Sequence, residues 1–328
     1  MSLELDPSLL AFLVCPRDKL PLAQAARHVV CPNGHHYAVV EGVPILLLSE
    51  STQTHIEGLR SLAVAEKGEV AAQLPQFNTG PGEVDPFVRT SIGATNGSFY
   101  QHLVGKLADY PIPELRLPDG EGKLFVEIGC SWGRWCIAAA RKGYRPIGID
   151  PSLKGVRAAR RVARQLGIHA WYLVADARYL PFPDASVDQV FSYSVFQHLA
   201  KEDVRLGLAE IHRVLRLGSQ CQIQMPNAFG IRCLYHQVRR GFRQARDFEV
   251  RYWTPRELTS TFETALGPSQ VLVDGYFSLN AQVSDLRFLP RRYRALVRTS
   301  EALRKMSRLF PALAYVADSL YVNATRGS

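Results

Sequence analysis

The chain has 328 residues, of which 47% are hydrophobic and 21% charged, a balance typical of folded globular proteins and not of disordered ones. Its apolar runs, such as residues 45–48, fall far short of the roughly 18 residues that a membrane span needs. Six cysteines are too few for a disulfide scaffold in so long a chain. Glu4 and Asp6 stand where a secretory signal needs basic residues, so we expect a cytoplasmic protein.

The formal net charge is +9, and arginine carries most of the excess because there are 31 arginines and eight lysines. The basic residues cluster late in the chain. Residues 232–256 hold seven arginines against two carboxylates, and the stretch from Asp285 to the end holds nine basic side chains against three acidic ones. Such clusters favour polyanionic partners, which leaves nucleic acid, phosphorylated metabolites and an anionic membrane surface open.

Composition divides the chain into three segments. Residues 1–48 contain cysteine, histidine and tight-turn residues and predict a small β unit. Residues 49–97 are polar, with turn signals, and predict a linker or an arm. Residues 98–328 predict one larger domain with insertions at 226–253 and 278–318.

The first segment places two ligand-rich turns on either side of a short hairpin. Cys15 and Asp18 stand in one turn, and Cys31 and His35 follow after twelve intervening residues. Ligands spaced in this way let each turn present two donors to one tetrahedral ion. The four residues therefore predict a structural zinc site. A ribbon without metal is the alternative, because a carboxylate replacing a soft thiolate weakens zinc binding.

From residue 123 onwards, short apolar strands alternate with helices, which predicts an α/β fold with a parallel sheet covered on both faces. Strands are predicted over residues 124–128, 145–150, 170–175, 187–192, 220–225, 270–277 and 320–324. Helices are predicted over residues 134–141, 152–166 and 255–266. A basic amphipathic helix over 291–310 predicts a lid on the same domain, with a membrane or nucleic-acid contact as the alternative.

The turn after the first of these strands is the most informative motif. It contains Glu127, Gly129, Ser131 and Gly133 at alternate positions. Glycines let the backbone approach a ligand closely, and the following helix offers free N–H groups and a positive dipole end. The spacing differs from the three-glycine fingerprint of dinucleotide sites. Ser131 stands in place of a middle glycine, which is tolerable if its φ stays negative.

Two aspartates follow at the ends of the next two strands. Asp150 lies 23 residues after Glu127, where a carboxylate can accept both ribose hydroxyls of a nucleoside. Asp176 ends the third strand and is followed by Ala177. Acidic helix caps would explain each aspartate singly, but not the ordered set.

From about Phe99 to its end, the chain resembles the class I S-adenosylmethionine-dependent methyltransferases. The resemblance implies a Rossmann-like seven-stranded sheet and S-adenosyl-L-methionine as cofactor. It assigns the glycine turn to the methionine part, Asp150 to the ribose, and Asp176 with Ala177 to the adenine. The cofactor-binding residues that it implies are Glu127, Gly129, Ser131, Gly133, Asp150, Asp176, Ala177 and Ser192.

The first segment resembles the zinc ribbon of bacterial large-subunit rRNA guanine methyltransferases. It is equally similar to the small activator subunits that serve tRNA and release-factor methyltransferases. Asp18 stands where those families place a second cysteine.

Methyl transfer needs positioning of the acceptor and at most one base. An Asn-Pro-Pro-Tyr type of motif is absent after the fourth strand, which disfavours methylation of a base amino group. His198 lies at the start of the next helix, where an imidazole can act as base near neutral pH. A structural histidine at a helix start is the alternative.

These observations favour a methyltransferase for a small-molecule, saccharide or lipid-linked acceptor, with a peripheral membrane contact left open. An rRNA or tRNA methyltransferase is the alternative, favoured by the ribbon and the charge. The imperfect ribbon, with Asp18 in place of a cysteine, and a region after the fourth strand of small-molecule type count against RNA. A non-catalytic cofactor-binding protein is the second alternative.

Overall fold

A computed structural model describes residues 5–67, 80 and 82–327. In this part of the chain the fold is α/β, as predicted. The strands are β1 (Ala23–Ala25), β2 (His28–Val30), β3 (His36–Val40), β4 (Val43–Leu46), β5 (Leu124–Ile128), β6 (Arg145–Asp150), β7 (Trp171–Ala175), β8 (Val187–Ser192), β9 (Leu215–Pro226), β10 (Ser269–Gly275) and β11 (Ser319–Thr325).

Nine α-helices lie within the described residues: α1 (Pro7–Leu10), α2 (Ile56–Lys67), α3 (Pro86–Thr95), α4 (Arg134–Arg141), α5 (Leu153–Gln165), α6 (Lys201–Val214), α7 (Ile231–Arg239), α8 (Pro255–Ala265) and α9 (Arg291–Met306). Short 3-10 helices cover Ser98–Leu103, Phe196–His198, Val283–Phe288 and Pro311–Val316. No described helix is long and apolar enough to cross a bilayer.

The sheet has eleven strands in the order β1-β2-β3-β4-β7-β6-β5-β8-β9-β11-β10. Strands β5 to β11 are the seven that the resemblance implies. The observed sheet is larger than the predicted one because the four amino-terminal strands, β1 to β4, also belong to it. The reason is a parallel pairing of β4 with β7, in which Ile45 lies beside Val174 and Leu46 beside Ala175. This pairing covers the exposed edge of β7 and joins the small β unit to the main sheet.

The central strands are apolar because both of their faces are covered. All five residues of β5 and all five of β7 are buried, as is typical of parallel strands between helices. Val126 and Ile128 belong to the same buried cluster as residues of α6 and α8. Phe125 points the other way and packs in a cluster with Trp135 of α4. The alternation places helices on both sides of the sheet.

The segment predicted as a linker or arm contains α2 and α3, and both pack on the main domain. The buried Ser61 of α2 accepts a hydrogen bond from the backbone N–H of Leu153, at the start of α5. Asp85 precedes α3, is fully buried and pairs with Arg161 of α5 at 2.6 Å. Residues 68–79 and 81 of this segment lie outside the described residues.

The two predicted insertions carry helices of their own. The first contains α7, and the second contains α9, which ends at Met306 rather than at the predicted residue 310. The chain then enters a 3-10 helix that begins at Pro311, a residue that has no backbone N–H with which to continue an α-helix. Val297 and Ser300 are the buried residues of α9, and Ser300 accepts a hydrogen bond from the N–H of Tyr276 at 2.9 Å.

Candidate functional site

A cavity of about 70 Å³ lies at the carboxyl ends of β5, β6 and β7. Four of the predicted site residues line it: Gly129, Asp176, Ala177 and His198. The remaining walls come from Ile128, Ile149, Pro151, Ala175, Val195, Leu199, Phe248 and the segment Gln53–His55. Ligands of open α/β sheets bind at this end of the strands.

The glycine turn after β5 requires glycine at two positions. Gly129 has φ +79° and Gly133 has φ +81°, both left-handed. A Cβ on Gly129 would lie 2.1 Å from a methyl carbon of Val195, and one on Gly133 would lie 2.6 Å from the hydroxyl of Tyr172. The backbone of this turn is therefore packed against side chains that a larger residue would displace.

Ser131 differs from the expectation, because its φ is +47° and not negative. This conformation costs a residue with a Cβ about 1 kcal/mol relative to its ordinary backbone regions. Its N–H donates to Oδ2 of Asp150 at 2.9 Å, which holds the turn in place. The strained backbone of Ser131 is therefore hydrogen-bonded to Asp150, the carboxylate that the sequence analysis assigns to the ribose.

Asp150 ends β6 with both carboxylate oxygens engaged by the backbone. Oδ2 accepts from Ser131 at 2.9 Å, and Oδ1 accepts from the N–H of Ser152 at 2.8 Å. Burial raises the pKa of Asp150, although these two hydrogen bonds oppose the shift. A carboxylate has about four acceptor positions, so Asp150 keeps acceptor capacity for two hydroxyl groups.

Glu127 and Ser192, like Ser131, Gly133 and Asp150, do not line the cavity. Glu127 is 2% exposed, and its Oε2 accepts the N–H of Cys136 in α4 at 2.8 Å. Burial raises the pKa of Glu127 to about 8. Ser192 is fully buried and donates to the carbonyl oxygen of Ile128 at 2.9 Å. One residue fastens β5 to α4 and the other fastens β8 to β5.

The carboxylate of Asp176 is already paired. Arg178 places Nη2 at 2.7 Å from Oδ2 of Asp176 and Nε at 3.0 Å from Oδ1. The same guanidinium reaches Asp203 at 3.1 Å and the carbonyl oxygen of Thr52 at 2.7 Å. Arg178 thus connects the end of β7 with the segment that forms the cavity wall. Sequence reasoning missed it, although it stands only two residues after Asp176.

His198 lies in the 3-10 helix before α6 and is half-buried. Its Nδ1 lies 2.7 Å from the carbonyl oxygen of Phe248, so the proton is assigned to Nδ1. Its Nε2 then accepts from the side-chain amide of Gln197 at 3.1 Å. Burial lowers the pKa of His198 to about 4, so the imidazole is neutral at pH 7.

Two aromatic side chains from distant segments narrow the cavity. Phe248 stacks on His198 with ring centroids 3.9 Å apart and an interplanar angle of 6°. His55 meets the same phenyl ring edge-on at 4.4 Å. Ligand pockets usually measure about 300 to 1,000 Å³, so the enclosed space is much smaller than a nucleoside ligand needs. No motif pointed to His55 or Phe248, because they lie in the predicted linker and in the first insertion.

The four predicted metal ligands converge in the amino-terminal unit. Donor atoms of Cys15, Asp18, Cys31 and His35 all lie within 4.8 Å of one another. Nδ1 of His35 lies 3.6 Å from Sγ of Cys15, 3.5 Å from Sγ of Cys31 and 3.1 Å from Oδ2 of Asp18. Ordinary zinc bond lengths at tetrahedral angles place such donors about 3.5 Å apart. The donor set and its spacing therefore fit one tetrahedral zinc ion.

Comparison with known proteins identifies a methyltransferase domain in the chain. Residues 125–218 match the family model described as "Methyltransferase domain". A Mycolicibacterium smegmatis protein named as a probable S-adenosylmethionine-dependent methyltransferase is 32% identical over 149 residues, 44% of this chain and 51% of that protein. The ubiquinone biosynthesis O-methyltransferase of Agrobacterium fabrum is 32% identical over 84 residues, 26% of this chain and 34% of that protein.

A second kind of relative is short. A UPF0434 protein of Vesicomyosocius okutanii is 40% identical over 50 residues, 15% of this chain and 85% of that protein.

Among solved structures, one chain of a complex between the Haloferax volcanii Trm112 methyltransferase activator and a methyltransferase matches 74% of this chain. The match covers 94% of that chain, at 19% identity and a TM-score of 0.45.

The chain spans between a third and a half of the curated methyltransferases it matches, and most of the UPF0434 protein. The chain therefore contains a methyltransferase domain over residues 125–218, similar to S-adenosylmethionine-dependent methyltransferases, together with a unit of the UPF0434 family.

Proposed function

We propose that the chain transfers a methyl group from S-adenosyl-L-methionine to a small-molecule, saccharide or lipid-linked acceptor. The observation that carries the proposal is the glycine turn at Gly129 beside the carboxylate of Asp150, at the carboxyl end of the parallel strands in a methyltransferase domain. The similarity to a ubiquinone biosynthesis O-methyltransferase supports a small acceptor that carries oxygen.

We assign cofactor contacts to residues that line the cavity or adjoin it. The bound cofactor supplies a methyl group on a sulfonium, which is already a good leaving group. The Gly129 turn permits close approach of the backbone, and Asp150 uses its spare acceptor positions for the ribose hydroxyls. Because Asp176 is engaged by Arg178, Ala177 and the apolar side chain of Ile149 are better placed to meet the adenine.

The proposal requires the cavity wall to move. The cavity of about 70 Å³ is closed on one side by Phe248 and His55. Phe248 is 45% exposed, and the insertion that carries it lies at the surface. Rotation of this phenyl ring away from His198 enlarges the space without disturbing the buried strands. We therefore assign the first insertion to the control of cofactor access.

We assign His198 as the base for an acceptor proton. Its Nδ1 proton is fixed by Phe248, and its Nε2 lone pair is released when Gln197 turns away. A pKa of about 4 makes the imidazole a weak base, which favours an acceptor oxygen that is acidic or already anionic over an aliphatic hydroxyl.

We further propose that Cys15, Asp18, Cys31 and His35 hold one structural zinc ion. The Asp18 carboxylate faces the other donors through Oδ2, which lies 3.1 Å from Nδ1 of His35, and its Oδ1 is buried without a hydrogen-bond partner among the described residues. Zinc at this position would fasten two turns of the amino-terminal β unit and take no part in methyl transfer.

Native mass spectrometry with added S-adenosyl-L-methionine tests the proposed function. We expect one cofactor bound per chain, and no retained cofactor at saturating concentration would contradict the proposal. A filter-binding titration of ribosomal RNA fragments examines the alternative. We expect no submicromolar binding near ~150 mM salt, because a small-acceptor pocket does not depend on phosphate contacts. Tight binding that falls steeply with salt would favour the RNA methyltransferase.

A further inference from the structure

Helix α7, in the first insertion, turns an apolar stripe towards solvent. Ile231, Leu234, Tyr235 and Val238 recur at the spacing of one helix face, and their exposed fractions are 56%, 44%, 53% and 57%. The buried residue of the helix is Cys233, at 4% exposure. A stripe of this kind normally faces a core. No helix, strand or loop in the described part of the chain covers the apolar stripe of α7.

The second insertion carries further exposed apolar side chains, and its end lies beside the start of α7. Leu309 and Phe310 are 78% and 58% exposed. The side-chain amide of Asn227, before α7, donates to the carbonyl oxygen of Tyr315 at 2.9 Å. Asp318, the last residue of the second insertion, accepts the N–H of Arg232 in the first turn of α7 at 2.7 Å. We call the exposed side chains of residues 229–242 and 306–316 the insertion surface.

The insertion surface is basic as well as apolar. Neither of its two segments contains an aspartate or a glutamate. Arg232, Arg239 and Arg308 are exposed, and none of them has an ion pair with a described carboxylate. Arg239 instead lies over the ring of Tyr235 at 5.8 Å. Apolar side chains beside arginines without carboxylate partners fit a binding partner whose own surface offers both hydrocarbon and phosphate.

We propose that the insertion surface binds the face of an anionic phospholipid bilayer. The stripe of α7 would enter the boundary between headgroups and acyl chains while Arg232 and Arg239 meet lipid phosphates. A second copy of the chain fits less well, because pairing two such surfaces brings arginines together without any carboxylate to offset them. RNA fits less well because three of the four stripe residues, Ile231, Leu234 and Val238, are aliphatic and offer nothing to a phosphate backbone.

The insertion surface adjoins the candidate cofactor site. Phe248 lies in the same insertion and lines the cavity. Arg240, at the end of α7, donates to the carbonyl oxygen of Val250 at 3.0 Å. Membrane binding does not depend on the proposed methyl transfer; it deepens that proposal by bringing a lipid-linked acceptor to the site.

Vesicle cosedimentation of the full chain, without methyl donor, tests the inference. The probes are vesicles of phosphatidylcholine alone and of phosphatidylcholine mixed with phosphatidylglycerol. We expect binding to the anionic vesicles, lowered roughly tenfold or more by Leu234→Ser with Val238→Ser and by Arg232→Glu with Arg239→Glu. The matched control is Leu206→Ser with Leu217→Ser, since these leucines are 45% and 70% exposed elsewhere. It should change binding less than about twofold.

Three outcomes would overturn the inference: no binding to the anionic vesicles, equal loss in the control, or binding that the surface variants leave intact. Size-exclusion chromatography supplies a further check. A dimer that Leu234→Ser with Val238→Ser dissociates, in a chain that ignores vesicles, would assign the surface to self-association. Circular dichroism confirms that each variant is folded. A chain that binds vesicles but no S-adenosyl-L-methionine would refute the proposed function and leave the membrane surface standing.

Discussion

The amino-terminal ligand cluster and the carboxyl end of the parallel strands both bring predicted site residues together. They differ in whether the arrangement has room for the expected ligand. In the cluster, four donor atoms lie within 4.8 Å of one another. At the strand ends, the cavity measures only about 70 Å³, and Asp176 is paired with Arg178. A metal site is defined by donors on two short turns. A pocket for a large ligand also depends on side chains that distant segments place against it.

The largest expected effect concerns the cluster, where a single ligand decides metal binding. His35→Ala should abolish stoichiometric zinc, because three ligands of mixed hardness hold the ion much more weakly than four. Metal analysis of the purified protein measures the change. His36→Ala is the matched control, since this neighbouring histidine is exposed and outside the cluster. Asp18→Cys should tighten zinc by restoring a thiolate. No zinc in any of these proteins would instead show a ribbon that folds without metal.

A smaller effect is expected on the rate of cofactor binding at the cavity, where the ring of Phe248 forms one wall. Phe248→Ala removes the ring that stacks on His198 and should speed S-adenosyl-L-methionine association by roughly threefold to tenfold, because no wall must be displaced first. Stopped-flow fluorescence measures the rate. Phe242→Ala is the control, since Phe242 lies in the same insertion and is 65% exposed. Equal or slower association in the Phe248 variant would mean that this ring does not gate the cavity.

The smallest expected effect tests the strained turn. Ser131→Gly should raise the free energy of unfolding by about 0.5 kcal/mol, because relief of the positive φ outweighs the added freedom of glycine in the unfolded chain. Ser307→Gly, at φ −61° after α9, should lower it. Chemical denaturation compares the two. A loss of stability in the Ser131 variant as large as in the Ser307 variant would contradict a left-handed backbone at this turn.

Much of the main sheet was predictable because its strands are short apolar runs separated by amphipathic helices. Residues 124–128, 145–150 and 187–192 were predicted with the observed bounds. The extension to eleven strands was not predictable, since the pairing of β4 with β7 joins residues more than a hundred positions apart. Local patterns carry no information about such long-range pairing.

The candidate site, like the sheet, contains features that were predictable from the sequence and features that were not. Gly129 and Asp150 were predictable because strand, turn and acidic residue follow one another in the chain. The positive φ of Ser131 was not, because serine ordinarily keeps a negative φ and nothing in the sequence marks this position as left-handed. Arg178 and Phe248 act through contacts with Thr52 and His198, which only the folded chain brings together.

The central claim is that the ends of β5 and β6 bind S-adenosyl-L-methionine, and isothermal titration calorimetry tests it most directly. Asp150→Ala should weaken binding by tens-fold or more, corresponding to roughly 2 to 4 kcal/mol for one carboxylate that serves two hydroxyls. Asp119→Ala is the matched control, because this aspartate is exposed and lies away from the cavity. Its affinity should equal that of the unmodified chain. An unchanged affinity in the Asp150 variant, with the fold intact, would contradict the account.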